Sequence, residues 1–188
     1  MKQDKKTFLN LYSPIHESFA RFCHAKAYKV MEPEDLISDS VLAALESFHK
    51  VKNEDAFLSF MFSIANNILN KKRRRAKFIG FFNESHVCEL RCPDLDAETK
   101  YDIEVLYQFL EKLPLKQKEA LILFEISGFS LKEIALIQES SLSSVKQRLK
   151  RGREKLADLF KSEELRSEPV SIRSSVLISM FFINEILK

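Results

Sequence analysis

The chain has 188 residues, enough for one domain or two small ones, with only three glycines and no tryptophan. Few glycines, together with long stretches of apolar residues at helical spacing, argue against a β-sheet protein and favour an all-α protein. The formal net charge is only +3, so any attraction for nucleic acid must come from local clusters of cations.

Cysteine usage and the N-terminus both favour the cytoplasm. The chain has three cysteines, an odd number that suits a reducing compartment better than a disulfide framework. Met1–Asp4 leads directly into a polar amphipathic segment rather than into the apolar core of a signal peptide. We therefore expect a cytoplasmic protein.

The first part of the chain shows helical patterns. Apolar and aromatic residues recur at helical spacing over Phe8–Tyr28, which predicts a first helix with one buried face. Pro33, followed by two acidic residues, is typical of the start of a second helix. Apolar residues then repeat every three or four positions and predict one long helix over about 54–75, which ends in a run of cations.

The composition changes between the two halves of the chain. Carboxylates are frequent after Asn83, and Pro93 lies among them, which indicates an acidic linker. Apolar helical patterns resume at Ile103–Leu113 and Leu115–Ser127. The predicted divisions are a helical domain at 1–78, the linker at 79–102, a second helical domain at 103–162 and a C-terminal extension of unknown role at 163–188.

The extension contains an apolar run, Val176–Ile183, that is shorter than the roughly 20 residues needed to cross a bilayer. We therefore expect no stable membrane insertion. An amphipathic helix that docks on the second domain is the favoured interpretation, with a regulatory contact or weak membrane association as alternatives.

Two consecutive helix starts are predicted near the end of the second domain. Ser130 and Glu133 have the spacing of a capping box, just after Gly128, which can close the preceding helix. A second start is predicted at Ser144, and the helix that follows has a narrow apolar stripe and cations over the rest of its surface. Two such helices are typical of a helix-turn-helix whose second helix enters the major groove of DNA.

In a helix-turn-helix the N-terminal part of the second helix faces base edges, while later cations meet phosphates. The residues predicted near bases are Ser144, Lys146, Gln147 and Lys150, and those predicted mainly near phosphates are Arg148, Arg151 and Arg153. A solvated basic helix in an ordinary bundle is the alternative interpretation.

Four blocks of sequence point to a family when they are taken in order. They are EPEDLISDSVL at Glu32–Leu42, FLSFMFSIANNILNKKRRR at Phe57–Arg75, LPLKQKEALIL at Leu113–Leu123 and SLKEIALIQESSLSSVKQRLKRGREKL at Ser130–Leu156. In this order they resemble RNA polymerase sigma factors of the sigma-70 family, specifically the small extracytoplasmic-function (ECF) group that keeps only regions two and four. The resemblance implies a region-two helical bundle and a region-four helix-turn-helix joined by the acidic linker.

The resemblance also implies a function and its partners. Such a protein binds core RNA polymerase and directs promoter recognition, promoter melting and transcription initiation, and the linker would occupy the channel that later carries RNA. Core RNA polymerase and promoter DNA are the implied partners, with an anti-sigma factor left open as a third.

Specific residues are implied by their positions in the matching blocks. Those matching the polymerase-binding helix are Asp35, Leu36, Ser38, Asp39 and Leu42. Those matching the loop and helix that hold the minus-ten element are His49, Lys50, Lys52, Asn53, Asn66, Asn67, Asn70, Lys71, Arg73 and Arg74. The basic helix of the second domain would read the minus-thirty-five element.

The chain departs from the family pattern in the turn of the helix-turn-helix. Glu139 and Ser140 stand where a glycine and an aliphatic residue are usual. Glu139 would therefore need a positive φ, at a cost on the order of 1 kcal/mol, unless the turn is shifted and Leu142 supplies the apolar plug. Gly152, in place of the common alanine, lowers the intrinsic stability of its helix by about 1 kcal/mol.

Other classes of function are less well supported. His86, Cys88 and Cys92 lie close together but lack the second matching pair of a zinc site, so we expect no metal and no cofactor. No nucleophile, base and orienting group occur together, so we do not expect an enzyme. A free-standing helix-turn-helix regulator and a non-catalytic partner-binding protein remain the alternatives.

Overall fold

The computed structural model describes residues 2–51, 56–79 and 97–164, and over these residues the chain forms helices and no strand. The all-α prediction is confirmed for this part of the chain. The helices are α1 (Lys2–Tyr12), α2 (His16–Ala27), α3 (Pro33–Ser47), α4 (Phe57–Ile79), α5 (Ala97–Glu111), α6 (Leu115–Leu121), α7 (Leu131–Ile137) and α8 (Leu142–Glu164). A π-helical segment, Ile122–Ile126, continues α6. None of these helices is both long and apolar enough to cross a membrane.

Packing divides the chain into two compact units, one from residues 1–91 and 122–145 and the other from residues 92–121 and 146–188. The first unit thus contains α1 to α4, the π-helical segment, α7 and the first turn of α8. The functional division predicted from sequence, with domains at 1–78 and 103–162, stays a prediction.

The first predicted helix is two helices. Instead of running through Phe8–Tyr28, the chain breaks at a 3-10 turn, Ser13–Ile15, between α1 and α2. Pro14 explains the break, because a proline inside a helix removes one backbone hydrogen bond and its ring clashes with the preceding turn. The prediction of one continuous helix was therefore wrong.

Aromatic rings form the core of the first unit. Phe22 of α2 meets Phe62 of α4 edge to face, with 4.6 Å between ring centroids, and Phe19 meets the same ring at 5.3 Å. All three side chains are fully buried. Helix α3 packs against α2 and α4 and turns Leu36 and Ala44 inward. The long helix α4 is thus fixed by one face, which leaves its other side available.

The second unit is held by contacts among α5, α6 and α8. Phe109 and Phe160 meet edge to face at 4.7 Å between ring centroids. The Lys118 ammonium donates to a Glu111 carboxylate oxygen at 2.9 Å.

Both helices that flank the predicted linker differ from their expected bounds, because α4 continues to Ile79 and α5 begins at Ala97. His86, Cys88 and Cys92, which were considered and rejected as a metal-ligand group, lie outside the described residues.

Candidate polymerase and nucleic-acid interfaces

The outer face of α3 carries the predicted polymerase-binding residues. Asp35 lies three residues before Ser38 and four before Asp39, and Leu42 lies four residues after Ser38 and three after Asp39, so the four share one face of the helix. All four are exposed, and Leu42 has 58% of its surface accessible. Leu36 is different, because its side chain is fully buried.

The second predicted surface runs along α4. Asn67, Lys71 and Arg74 lie at positions i, i+4 and i+7 and are exposed in one row. Asn70 is also exposed, and its carbonyl oxygen accepts a hydrogen bond from Arg74 Nε at 3.3 Å. The remaining two predicted residues of this helix, Asn66 and Arg73, are half-buried. Amide groups followed by cations thus line one side of α4.

The turn after α3 holds part of the predicted minus-ten loop. Phe48–Lys50 forms a 3-10 turn in which His49 and Lys50 are exposed, while Phe48 packs on Phe8. The other two predicted loop residues, Lys52 and Asn53, lie outside the described residues. The structure therefore places two of the four loop side chains, both at the surface.

The start of α7 agrees with the predicted capping box. The Ser130 hydroxyl accepts a hydrogen bond from the Glu133 backbone N–H at 3.3 Å, and a Glu133 carboxylate oxygen accepts one from the Ser130 backbone N–H at 2.8 Å. Gly128 precedes it with a φ of +78°. Both features of the sequence interpretation are confirmed.

The turn between α7 and α8 takes the strained form that the sequence raised as a possibility. Glu139 has a φ of +48°, a conformation that L-residues adopt at a cost of roughly 1–2 kcal/mol. Leu142 does not plug the turn, because 41% of its surface is exposed. The idea of a shifted turn closed by Leu142 was therefore wrong.

Helix α8 begins earlier than predicted. Its first residue is Leu142, and Ser141 acts as the cap, since its hydroxyl oxygen accepts a hydrogen bond from the Ser144 backbone N–H at 3.2 Å. Ser141 Oγ also lies 2.9 Å from the hydroxyls of Ser143 and Ser144. The predicted start at Ser144 was wrong, and Ser144 lies in the first turn of the helix.

The rest of α8 matches the predicted division into an apolar stripe and a basic surface. Val145, Leu149 and Leu156 are buried. Of the predicted DNA-contacting residues, the exposed ones are Lys146, Gln147, Lys150 and Arg151, and the half-buried ones are Ser144, Arg148 and Arg153. Within 144–153 the helix carries no acidic residue, so this surface is suited to an anionic partner.

Two further groups complete the description of the site. Among the described residues no group of three or more His, Cys, Asp or Glu side chains could hold a metal ion.

Sequence reasoning missed a contact between Arg21 and the carbonyl oxygen of Ser127, which lie 106 positions apart along the chain. No local pattern could have signalled it, because neither residue has a distinctive neighbourhood in the sequence.

Comparison with known proteins identifies the family of the chain. A family model described as "Sigma-70, region 4" matches residues 103–156. The ECF RNA polymerase sigma factor EcfG of Rhodopseudomonas palustris is 30% identical over 129 residues, which cover 68% of this chain and 70% of that protein. The chain belongs to the ECF RNA polymerase sigma factors. A further relative is the ECF RNA polymerase sigma factor SigX of Bacillus subtilis. It is 24% identical over 156 residues, which cover 79% of this chain and 80% of that protein.

Solved structures share the fold of this ECF sigma factor. One is CnrH in complex with the cytosolic domain of CnrY, with a TM-score of 0.60 and 19% identity over 84% of this chain and 90% of that one. Another is the sigma factor RpoE of Bartonella quintana in complex with the anti-sigma factor NepR, with a TM-score of 0.56 and 22% identity over 86% and 98% of the two chains.

Family membership decides between the functions considered for the sequence. The function is that of a sigma subunit of RNA polymerase in promoter-directed transcription initiation, and not that of a free-standing regulator. Sigma factors as a class are not enzymes.

Proposed function

We propose that the exposed surfaces of α3, α4 and α8 carry out three separate steps of initiation: binding core polymerase, holding the melted minus-ten element and reading the minus-thirty-five element. The observation that carries this assignment is the exposed row of Asn67, Lys71 and Arg74 on α4. Amides and cations in one row suit a single strand, because amides can hydrogen-bond unpaired bases while cations meet phosphates. A regulator that used only a helix-turn-helix would have no use for this row.

The polymerase-binding surface is assigned to Asp35, Ser38, Asp39 and Leu42. Exposed carboxylates around an exposed leucine combine an apolar anchor with a charged rim, the arrangement found in protein interfaces. Leu36 is assigned a positioning role, since a direct contact would require it to leave the core. His49, Lys50, Lys52 and Asn53 are assigned to the loop that captures an unpaired base, where a pocket must offset the few kcal/mol lost on unpairing.

The basic surface of α8 is assigned to duplex DNA. Ser144, Lys146, Gln147 and Lys150 are closest to the N-terminal end of the helix and are assigned to base edges. Arg148, Arg151 and Arg153 are assigned mainly to phosphates, which fix the register of the helix on the duplex. Region two is assigned to 1–78 and region four to 103–162, with 79–102 as the linker in the polymerase channel.

The assignment also implies where the protein acts, what it contributes to initiation and which partner regulates it. The chain acts in the cytoplasm, where polymerase and DNA are found, and contributes binding rather than catalysis. Both solved structures contain a second protein, and in one of them a sigma factor is bound to an anti-sigma factor. An anti-sigma factor is the corresponding regulatory partner proposed here. The experiment for this partner is co-purification of the full chain from its native cells.

Transcription by purified core polymerase on genomic fragments tests the main assignment. Wild-type protein should produce discrete new transcript starts that share two upstream elements. Asp39→Asn should weaken core binding, whereas Lys71→Gln should leave core binding intact and reduce opening of the minus-ten region. No core binding by the wild-type chain would contradict the assignment.

Two matched controls separate these surfaces from general charge effects. Asp158→Asn makes the same change as Asp39→Asn at an exposed carboxylate of α8 that lies outside the proposed surfaces. Lys72→Gln makes the same change as Lys71→Gln one position away. Both controls should behave as the wild type. A loss of the same size in a control would show that net charge, and not the particular surface, governs the step.

A further inference from the structure

Leu142 is the first residue of α8 and the longest exposed side chain within residues 140–145. It has 41% of its surface accessible, whereas the residues at positions 140, 141, 143 and 144 are all serines. Val145 is fully buried and anchors the first turn of the helix in the core. A base edge that faces this end of α8 therefore meets either a short serine side chain or Leu142.

The backbone around Leu142 is held by hydrogen bonds on both sides. The Ser140 N–H donates to the Ala135 carbonyl oxygen at 2.9 Å, and the Val145 N–H donates to the Ser141 carbonyl oxygen at 3.1 Å. The Ser141 side chain also caps the helix. The turn and the first turn of α8 thus give the Leu142 side chain a defined point of departure.

Leu142 begins a row of side chains along one side of α8. Lys146 and Lys150 follow it at positions i+4 and i+8, so the three lie in line on the helix. All three are exposed, and both lysines are assigned to base edges under the proposed function. The row therefore starts with an apolar side chain and continues with two cations.

The serines beside Leu142 are already engaged with one another. Ser141 Oγ accepts a hydrogen bond from the Ser144 backbone N–H and lies 2.9 Å from the hydroxyls of both Ser143 and Ser144. These hydroxyls are therefore less available to the donors and acceptors of a base edge. Leu142 is the side chain of this end that extends beyond the hydroxyl cluster.

The major groove offers a leucine one apolar group on a base edge, the 5-methyl group of thymine. The N-terminal residues of the second helix of a helix-turn-helix contact base edges, and Leu142 is the first residue of that helix. Contact between two apolar groups is favourable, because both remove apolar surface from water. The position and the chemistry of Leu142 thus point to the same base.

We propose that Leu142 is a specificity-determining residue that reads a thymine of the minus-thirty-five element through its 5-methyl group. The inference rests on the proposed function of α8, and it adds to that function a residue and an apolar type of contact. Burial of one methyl group corresponds to about a fourfold change in affinity. Leu142 therefore gives a graded preference for thymine at one position.

Replacement of thymine by uracil isolates this contact. Deoxyuridine pairs with adenine and keeps the O4 acceptor of thymine, but it lacks the 5-methyl group. Each thymine of the mapped minus-thirty-five element is replaced singly, on either strand, and the affinity of the complex of full chain and core polymerase is measured. We expect the wild-type affinity to fall about fourfold at one position. Leu142→Ala should bind the thymine and uracil duplexes equally well at that position.

Three further variants keep the test decisive. Leu136→Ala truncates another exposed leucine, on α7, and Ser143→Ala truncates the exposed residue next to Leu142. Both should keep the difference between thymine and uracil. Leu142→Met keeps an apolar side chain and should still prefer thymine. The inference is overturned if uracil has no effect on the wild type at any position, or if Leu142→Ala keeps the wild-type difference.

Failure of the proposed function gives a separate result. If the chain does not bind core polymerase, the proposed function fails, and no promoter element can be mapped. The full chain alone is then used to select duplexes from a random pool, in parallel with Leu142→Ala. A thymine that only the wild type selects supports the inference in this case too. Selection of the same sequences by both proteins, or of none by either, overturns it.

Discussion

Gly152 of α8 approaches Leu121 so closely that a methyl group on Gly152 would lie 3.0 Å from Leu121 Cδ1. A glycine inside a helix costs about 1 kcal/mol relative to alanine, which made this residue unexpected from the sequence. Leu121 is fully buried, so its methyl group has little room to move. The glycine is therefore explained by packing between α6 and α8.

Gly152→Ala should lower the free energy of unfolding, because overpacking costs about 1–3 kcal/mol and outweighs the gain of about 1 kcal/mol in helix propensity. Urea unfolding of the two proteins measures the difference. In a Leu121→Ala background the same change should stabilise instead, since the space is then free. If Gly152→Ala alone raised the free energy of unfolding by the whole gain of about 1 kcal/mol expected from helix propensity, the close approach to Leu121 would be shown to have no effect on stability.

A substitution in the strained turn between α7 and α8 should stabilise the protein, in contrast to Gly152→Ala. Glu139→Gly should raise the free energy of unfolding by about 0.5–1 kcal/mol, because glycine adopts the φ of +48° without strain but gains flexibility when unfolded. Thermal unfolding should show a higher midpoint.

Glu154→Gly is the matched control for this change. Glu154 is an exposed residue inside α8, where glycine should cost about 1 kcal/mol. Equal effects of the two substitutions would contradict the assignment of strain to Glu139.

Local rules predicted much of this fold, and long-range packing explains most of what they missed. The capping box of Ser130 and Glu133 was predictable because both partners lie within one turn of sequence. The start of α8 was placed wrongly because several serines compete for one cap, and only the fold selects Ser141. The contact between Phe62 and Phe129 leaves no trace in sequence periodicity, since each residue also fits its own local pattern.

In the candidate site, too, some features could be predicted from local sequence patterns and others could not. Helical spacing was sufficient to place Asp35 and Asp39 of α3, and Lys146, Lys150 and Arg151 of α8, at the surface. Helical spacing also predicts Leu36 on the inner face of α3, together with Ser40 and Ala44, and all three are buried. The family block alone does not make this distinction, because a matching block does not separate a contact from a support.

The salt dependence of promoter binding should separate phosphate contacts from base contacts. On a duplex carrying the mapped minus-thirty-five element, Arg151→Gln in the polymerase complex should reduce the slope of log K against log salt by about 1. Gln147→Ala should leave the slope unchanged and relax the preference for one base pair. Lys161→Gln, at an exposed lysine further along α8 and outside the proposed surface, is the control. A change in slope for Gln147→Ala alone would contradict the assignment.

The free energy of unfolding should decrease at alkaline pH, because the folded state keeps the protons of Tyr12 and Cys23 at pH values where the unfolded chain loses them. Burial, with a smaller contribution from nearby Cys23, raises the pKa of Tyr12 from 10.0 to about 12, and burial also raises the pKa of the Cys23 thiol. Between the unfolded and folded pKa values the folded state binds more protons, so the free energy of unfolding decreases as pH rises. Below the unfolded pKa values this contribution is fully present.

Tyr12→Phe should make the stability less sensitive to pH. It removes the Tyr12 titration and also the hydrogen bond between the Tyr12 hydroxyl and His16 Nδ1, 2.9 Å apart, so stability at neutral pH should fall by about 1 kcal/mol. Urea unfolding from about pH 7 to 11 should give a shallower decline for Tyr12→Phe than for the wild type. Cys23→Ala should flatten the part of the decline that begins at lower pH, because a thiol ionises before a phenol in the unfolded chain. Parallel curves for all three proteins would mean that other groups set the alkaline limit.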